Sequence, residues 1–490
     1  MVANTSHRKD SLALTFILLA LFFFMNIYEE KIPKLRVCWF AGSILLWVTA
    51  FFAKGNALVF PLLALGYEYA MITEEKRVII RWKKLVPVFC CFSAVGVLLW
   101  YWYIATLPSF KMVVIGAFFK TDNLTSFSNF SYTLMVLKSF AFMFSKLVIP
   151  LNLSMEYIYS VPKSFFDLWV VAGLLLVTSF FVLLFVTRKS SPVLLFLLIF
   201  VGVLWFPTSN IVWHFSYFAA DRYMYAPSAG LCVIAAILSE RMLLVSRRSL
   251  FLLLLSVFSL YAILSWKQSR VWHDDFSLYS NMLVVSPRSL EAMIGLSNAY
   301  FKVKDYENAE KYAKLAIERD FTDYRGYMIL GNISFIKGEM NQALQLFLES
   351  ERKSKRDPEL YNSLGSVYDE LGKTQNAIDS FNTALRLRPE YYQAYTNLAV
   401  VYERADNLIE AESVLKKALR INESYVPALF NMGVVLFKNN DLQGARKSFE
   451  AVLTHDPTHS DSLHNMSVIC EQTADLPCYT DAVRRINLLR

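Results

Sequence analysis

At 490 residues, with 55% hydrophobic, 15% aromatic and 18% charged, the chain is too apolar to be disordered and more apolar than a wholly soluble protein of its length. Its net charge of +8 conceals two unlike halves: residues 1–270 hold 24 Lys+Arg and 11 Asp+Glu, whereas residues 271–490 hold 25 and 30. A basic excess confined to an apolar half fits loops beside a membrane surface and gives no support to nucleic-acid binding.

In chain order the long apolar runs are 11–28, 37–53, 57–72, 86–105, 168–187, 192–206, 226–239 and 250–265. At about 1.5 Å per residue the longer ones reach roughly 30 Å, the thickness of a hydrocarbon core; 192–206 and 226–239 need flanking aromatics to do so. A ninth stretch, 131–150, carries Ser131, Lys138, Ser139, Ser145 and Lys146 at near-heptad spacing, and reads as a helix lying in the interface. With eight spans, loops 29–36, 73–85, 187–191 and 240–249 share one side and hold 13 basic residues in 36 positions. The opposite segments hold 9 in 94, so the dense set is expected in the cytoplasm and everything after Ser265 outside it.

From Leu290 the sequence repeats every 34 residues. One position reads Leu296, Leu330, Leu364, Leu398, Met432, Met466; the next reads Ser297, Gly331, Gly365, Ala399, Gly433, Ser467; a third reads Ala309, Ala343, Ala377, Ala411, Ala445. Small residues where paired helices cross, with large apolar ones between, match the tetratricopeptide repeat, an α-solenoid whose first helices line a concave groove. Five full repeats run from 290 to 459, and a degenerate sixth reads as a cap. Asn397, Asn431 and Asn465 stand one repeat apart on the groove face. A column of amides offers donor and acceptor to the backbone of an extended chain, or merely solvates the helices. In the earlier repeats the position holds Gly295, Ile329 and Ser363. No metal spacing is present among the six cysteines, and Cys470 and Cys478 read equally well as a disulfide or as buried thiols.

The expected architecture is therefore all-α: a polytopic helical membrane domain over 1–270, a junction half-repeat over 271–289, and a tetratricopeptide-repeat solenoid over 290–490. This arrangement resembles the transmembrane and tetratricopeptide repeat-containing (TMTC) family and its bacterial relatives. The likeness rests on His7-Arg8-Lys9-Asp10-Ser11-Leu12, on Ala53-Lys54-Gly55-Asn56, and on Pro150-Leu151-Asn152-Leu153-Ser154 with Tyr157 and Tyr159. It extends to Asp221-Arg222-Tyr223-Met224-Tyr225-Ala226-Pro227-Ser228 and to Trp272-His273-Asp274-Asp275. The resemblance implies a membrane glycosyltransferase that moves mannose from a polyprenyl-phosphate donor to Ser or Thr of an exported protein held by the repeats. The donor is a substrate, and no cofactor or metal is implied. The array would then face the bacterial periplasm or the lumen of the endoplasmic reticulum.

Such chemistry needs cations at the departing phosphate and a carboxylate to take the acceptor proton. Arg222, Lys54 and Arg8 are the candidate phosphate ligands; Arg222, between tyrosines at a span end, can fork onto phosphate oxygens, or simply pair with Asp221. No residue is assigned as the base. The family's acidic motif lies upstream of the segment that residues 7–12 resemble, and its glutamate after the lysine is Gly55 here. The expectation is a membrane domain lacking its N-terminal catalytic loop, with an inactive membrane-anchored scaffold as the alternative reading.

Overall fold

The computed structural model describes residues 2–29, 32–53, 57, 59–75, 94–95, 97–99, 129–148, 152–154, 157, 162, 164–206, 225–241 and 247–488. Among them there is no strand, and the chain divides into two compact units, Met1–Ala292 and Met293–Arg490. The divide falls inside the first helix of the repeats.

Helices α1 (Val2–Glu29), α2 (Pro33–Ala53) and α3 (Phe60–Glu75) begin the first unit. Phe24, Trp47, Phe60 and Leu63 are fully buried in their shared core, with Trp47 stacked on Phe60 at 6.0 Å. Polar groups drawn into this core find backbone partners, as burial requires. The Trp47 indole N–H donates to the Ala57 carbonyl at 2.8 Å, and the Ser43 hydroxyl donates to Ala20 at 2.8 Å.

Helix α4 (Asn129–Val148) packs on α5 (Leu168–Ser190). The backbones approach so closely that a Cβ on Gly173 would collide with the Leu137 carbonyl oxygen. Two members of the polar stripe on α4, Lys138 and Ser139, are buried, so this part of the stripe turns into the protein and not toward water. Helices α6 (Pro192–Trp205), α7 (Tyr225–Arg241), α8 (Arg247–Val271) and α9 (Asp275–Val285) complete the unit. Ser191 ends α5, and Pro192 opens α6 at a position where the missing N–H costs nothing. Seven of the eight apolar runs fall on helices; the run 86–105 lies almost wholly outside the described residues. Among those described, three helical stretches are long and apolar enough to cross a membrane: Pro33–Phe51, Phe130–Val148 and Leu168–Ser190. The last has a mean hydropathy of 2.6 yet is only 17% buried, leaving Leu175, Phe181 and Phe185 on the outside.

The second unit is built of helix pairs: α10 (Leu290–Lys302) with α11 (Tyr306–Arg319), α12 (Arg325–Ile336) with α13 (Met340–Lys353), α14 (Pro358–Glu370) with α15 (Thr374–Leu387), α16 (Tyr392–Arg404) with α17 (Leu408–Ile421), α18 (Val426–Lys438) with α19 (Leu442–His455), and α20 (Ser460–Gln472) with α21 (Leu476–Leu488). In three repeats the glycine of the first helix receives a phenylalanine from the second. A Cβ on Gly331, Gly365 or Gly433 would lie 2.6 or 2.7 Å from the ring of Phe347, Phe381 or Phe449. The alanine column from Ala309 to Ala445 is completely buried. Between the paired helices the chain turns through a left-handed residue at one-repeat spacing: Lys304, Gly338, Gly372, Asp406, Asn440 and Ala474, with φ from 53° to 78°. Only Gly338 and Gly372 take this conformation without a steric penalty.

Candidate functional site

The three candidate phosphate ligands lie beyond structural description: Arg222 and Lys54 fall outside the described residues, and Arg8 sits in the helical backbone of α1 with its side chain undescribed. Asp221, the alternative partner of Arg222, also falls outside.

What is described is the neighbourhood of the 150–154 motif. The Leu153 carbonyl accepts from Gln268 Nε2 of α8 at 3.2 Å and from Asn281 Nδ2 of α9 at 3.0 Å. The Tyr261 hydroxyl lies 2.7 Å from the Val148 carbonyl and 3.1 Å from that of Leu147, closing the end of α4. Tyr157 Oη accepts the Ser154 N–H at 2.9 Å, and its ring carries the Lys146 ammonium at 5.6 Å. Beside these contacts lies an apolar cleft lined by Leu153, Tyr261, Leu264, Gln268 and Trp272. Ser265 and Ser269 complete its lining, which among the described residues holds no carboxylate.

A carboxylate that the sequence reading passed over is Asp167, because it borders the apolar run starting at Leu168. Its Oδ2 accepts from the buried Lys138 Nζ at 3.0 Å, while Oδ1 caps α5 through the Trp169 N–H at 3.0 Å. Burial pushes its carboxyl up, but the Lys138 and Trp169 hydrogen bonds outweigh this and hold it below the usual carboxylate range. A group kept ionised in this way is a poor proton acceptor. It anchors α4 to α5. Among the described residues no cluster of His, Cys, Asp and Glu could hold a metal ion.

In the repeats, Asn397, Asn431 and Asn465 sit on α16, α18 and α20, each half-buried. Asn397 Nδ2 donates to Asn362 Oδ1 on α14 at 3.0 Å. One repeat earlier, Ser363 Oγ donates to Asn332 Oδ1 on α12 at 3.2 Å. The polar column thus continues past the point where the strict 34-residue comparison ends. It does so through Asn362, one residue before the column position, and Asn332, three residues after it. The missed signal was this turn-to-turn shift. Asn431 and Asn465 make no hydrogen bond among the described residues.

Seven residues beyond Asn362, Asn397 and Asn431, and so on the same face, stand Asp369, Arg404 and Lys438. Arg404 pairs with Asp369 at 2.7 Å and Glu370 at 3.6 Å, and Lys438 pairs with Glu403 of the preceding repeat. Burial raises the Asp369 carboxyl, and Arg404, shared with Glu370, offsets this only in part. At the far end Cys470 and Cys478 form a disulfide, with Cα atoms 5.7 Å apart, which joins α20 to α21.

Tetratricopeptide-repeat family models match residues 290–323, 362–426 and 426–459. Among curated proteins, the chain is 28% identical over 218 residues to "Protein O-mannosyl-transferase F38B6.6" of Caenorhabditis elegans, covering 43% of this chain and 31% of that protein. It is 27% identical over 133 residues to "Protein O-mannosyl-transferase Tmtc2" of Drosophila melanogaster, covering 26% of this chain and 14% of that one. The chain therefore spans less than a third of the length of either relative. A solved structure of Pseudomonas aeruginosa PilF, 19% identical, covers 41% of this chain and 91% of its own with a TM-score of 0.38. One of PilW, a type IV pilus biogenesis factor, is 17% identical, covers 41% and 92%, and has a TM-score of 0.39.

Proposed function

We propose that this chain, which carries tetratricopeptide repeats and whose curated relatives are protein O-mannosyl-transferases, is a membrane-bound O-glycosyltransferase-like protein whose exported repeats hold a protein acceptor. The observation that carries the reading is similarity to two such transferases in a chain that also contains helices fit to cross a membrane. The donor in this reading is a polyprenyl-phosphate sugar, mannose by the relatives' names. The bond from the sugar's anomeric carbon to phosphate breaks, a bond to the acceptor Ser or Thr oxygen forms, and the hydroxyl proton passes to a carboxylate not yet assigned. Arg222, with Lys54 and Arg8, is proposed to receive the departing phosphate charge. The Cys470–Cys478 disulfide supports an array on the exported side, because such bonds persist in oxidising compartments.

A second reading is a membrane-anchored scaffold without transferase activity, whose repeats recruit exported partners. The full chain, reconstituted in liposomes with polyprenyl-phosphate mannose and a Ser/Thr peptide, separates the two. Mannosylated peptide, lost in Arg222→Ala, is the outcome of the enzymatic reading. Absence of product under conditions where the peptide binds the protein overturns it in favour of the scaffold.

A further inference from the structure

Within the repeats the pattern Asn-x-Ser/Thr, with x other than proline, occurs three times: Asn332-Ile333-Ser334, Asn422-Glu423-Ser424 and Asn465-Met466-Ser467. It is the acceptor pattern for N-linked oligosaccharides, and a folded chain has to carry so bulky and polar a group on its surface. The structure separates the three. Asn332 and Asn465 lie inside first helices, α12 and α20, with Ser334 and Ser467 buried, and Asn332 Oδ1 is tied to Ser363 of the next repeat at 3.2 Å. The half-buried Asn422 lies instead in the linker between α17 and α18, followed by the exposed Glu423 and Ser424.

The linker shows which part of Asn422 is used. Its Oδ1 accepts from the Ser424 N–H at 3.2 Å and from the Ser424 hydroxyl at 3.1 Å, so the side chain closes a turn. Aspartate closes the same turn at the same repeat position in two sister linkers. Asp320 accepts from the Thr322 N–H and hydroxyl at 2.9 and 2.6 Å, and Asp456 accepts from those of Thr458 at 3.0 and 2.8 Å. A carboxylate makes the shorter and stronger bonds, so the turn by itself calls for aspartate. What asparagine adds is Nδ2, which enters no hydrogen bond among the described residues.

From this placement we infer that Asn422 is an N-glycosylation site, and that Asn332 and Asn465 are not. The donor is an oligosaccharide carried on a polyprenyl diphosphate and supplied, with its transferase, by the lumen of the endoplasmic reticulum. Asn422 Nδ2 bonds to the anomeric carbon of the first sugar while the bond from that carbon to the diphosphate oxygen breaks. The diphosphate leaves with the electron pair, and the amide nitrogen gives up one proton. The inference rests on the reading that the repeats face the exported side. It goes beyond that reading by making the chain itself an acceptor of sugar, whether or not it transfers any.

The test uses the full chain with an epitope tag after Arg490, expressed in insect cells. Protection of the tag from added protease in sealed microsomes reports export independently. The purified protein is treated with an N-glycanase in heavy-oxygen water, which leaves a labelled aspartate wherever a glycan stood. Mass spectrometry is expected to find the label at Asn422 and not at Asn332 or Asn465. Asn422→Asp and Ser424→Ala should each remove one glycan, seen as a single step in gel mobility, whereas Ser424→Thr keeps it. Because Asp320 and Asp456 make the same turn, Asn422→Asp is expected to leave the melting temperature of the deglycosylated protein unchanged, which separates loss of the glycan from loss of the fold. A protected tag with Asn422 bare, or label at Asn332 or Asn465, would overturn the inference and leave the exported reading standing. A digested tag with Asn422 bare would overturn both.

Discussion

Ala474 occupies the left-handed turn of the last repeat with φ 53°, where its Cβ crowds the neighbouring carbonyl. Two other repeats place glycine there, with nothing within 4 Å of where a Cβ would stand at either. Ala474→Gly is therefore expected to stabilise the terminal hairpin by about 1 kcal/mol, read as slower hydrogen exchange in α20 and α21. Unchanged or faster exchange would show that the turn is relaxed as it stands. Gly365 presents the opposite case, since its missing Cβ is the space in which Phe381 sits. Gly365→Ala is expected to cost about 1–3 kcal/mol by overpacking. Phe381→Ala alone is expected to cost about 3–5 kcal/mol, and the double variant less than the sum of the two single losses, because the first repeat already pairs Ser297 with Ala313 at these two positions. If the double variant is no better than the sum of the singles, the two residues are not coupled.

At the scale of elements, the final hairpin α20–α21 is the part of the array most dependent on polar ties. Only Ala482 of α21 is buried, and the hairpin relies on the disulfide and on Asp475. The hydrogen bond from Arg446 lowers the Asp475 carboxyl first, and the Cys478 N–H second. For a carboxyl depressed in the folded state, the stabilising contribution is present above the unfolded value of about 4 and is lost as pH falls through the folded value. Exchange in α21 should therefore be protected at neutral pH and accelerate selectively once the pH drops below about 4. A uniform loss across all repeats at the same pH would remove Asp475 from the account. The helix pairs themselves were legible in the sequence, because the 34-residue period and the small and large positions recur in register. The left-handed turns were not, since four of the six carry Lys, Asp, Asn or Ala in place of glycine. The amide row was half legible: its later members repeat in phase, whereas Asn332 and Asn362 join it through hydrogen bonds with Ser363 and Asn397 from other repeat positions.

At the scale of the whole chain, an apolar helical unit and a repeat unit were both evident from composition and period. The three helical stretches long enough to cross a membrane all lie in the first unit. Hydropathy could locate the apolar runs but not the polar interior of the unit that holds them. Lys138 reads as one position in an interfacial stripe until its partner Asp167, 29 residues away, is known. Lys138→Ala is expected to destabilise the α4–α5 pair by about 3 kcal/mol, because it leaves a carboxylate without its partner. Lys138→Ala with Asp167→Asn should recover most of that, as judged by thermal aggregation of the detergent-solubilised protein.

The enzymatic and scaffold readings share one requirement, that the repeats face the exported side. Its direct measurement is labelling of Cys470 and Cys478 in sealed, right-side-out membranes with a membrane-impermeant maleimide. Controls are the Cys470→Ser/Cys478→Ser chain and lysed membranes. The account expects no labelling of this pair in intact membranes until a membrane-impermeant phosphine has reduced the disulfide, and labelling of the half-buried Cys478 afterwards without lysis, Cys470 being completely buried. Protection of both cysteines until the membrane is broken would put the array on the cytoplasmic side and contradict it.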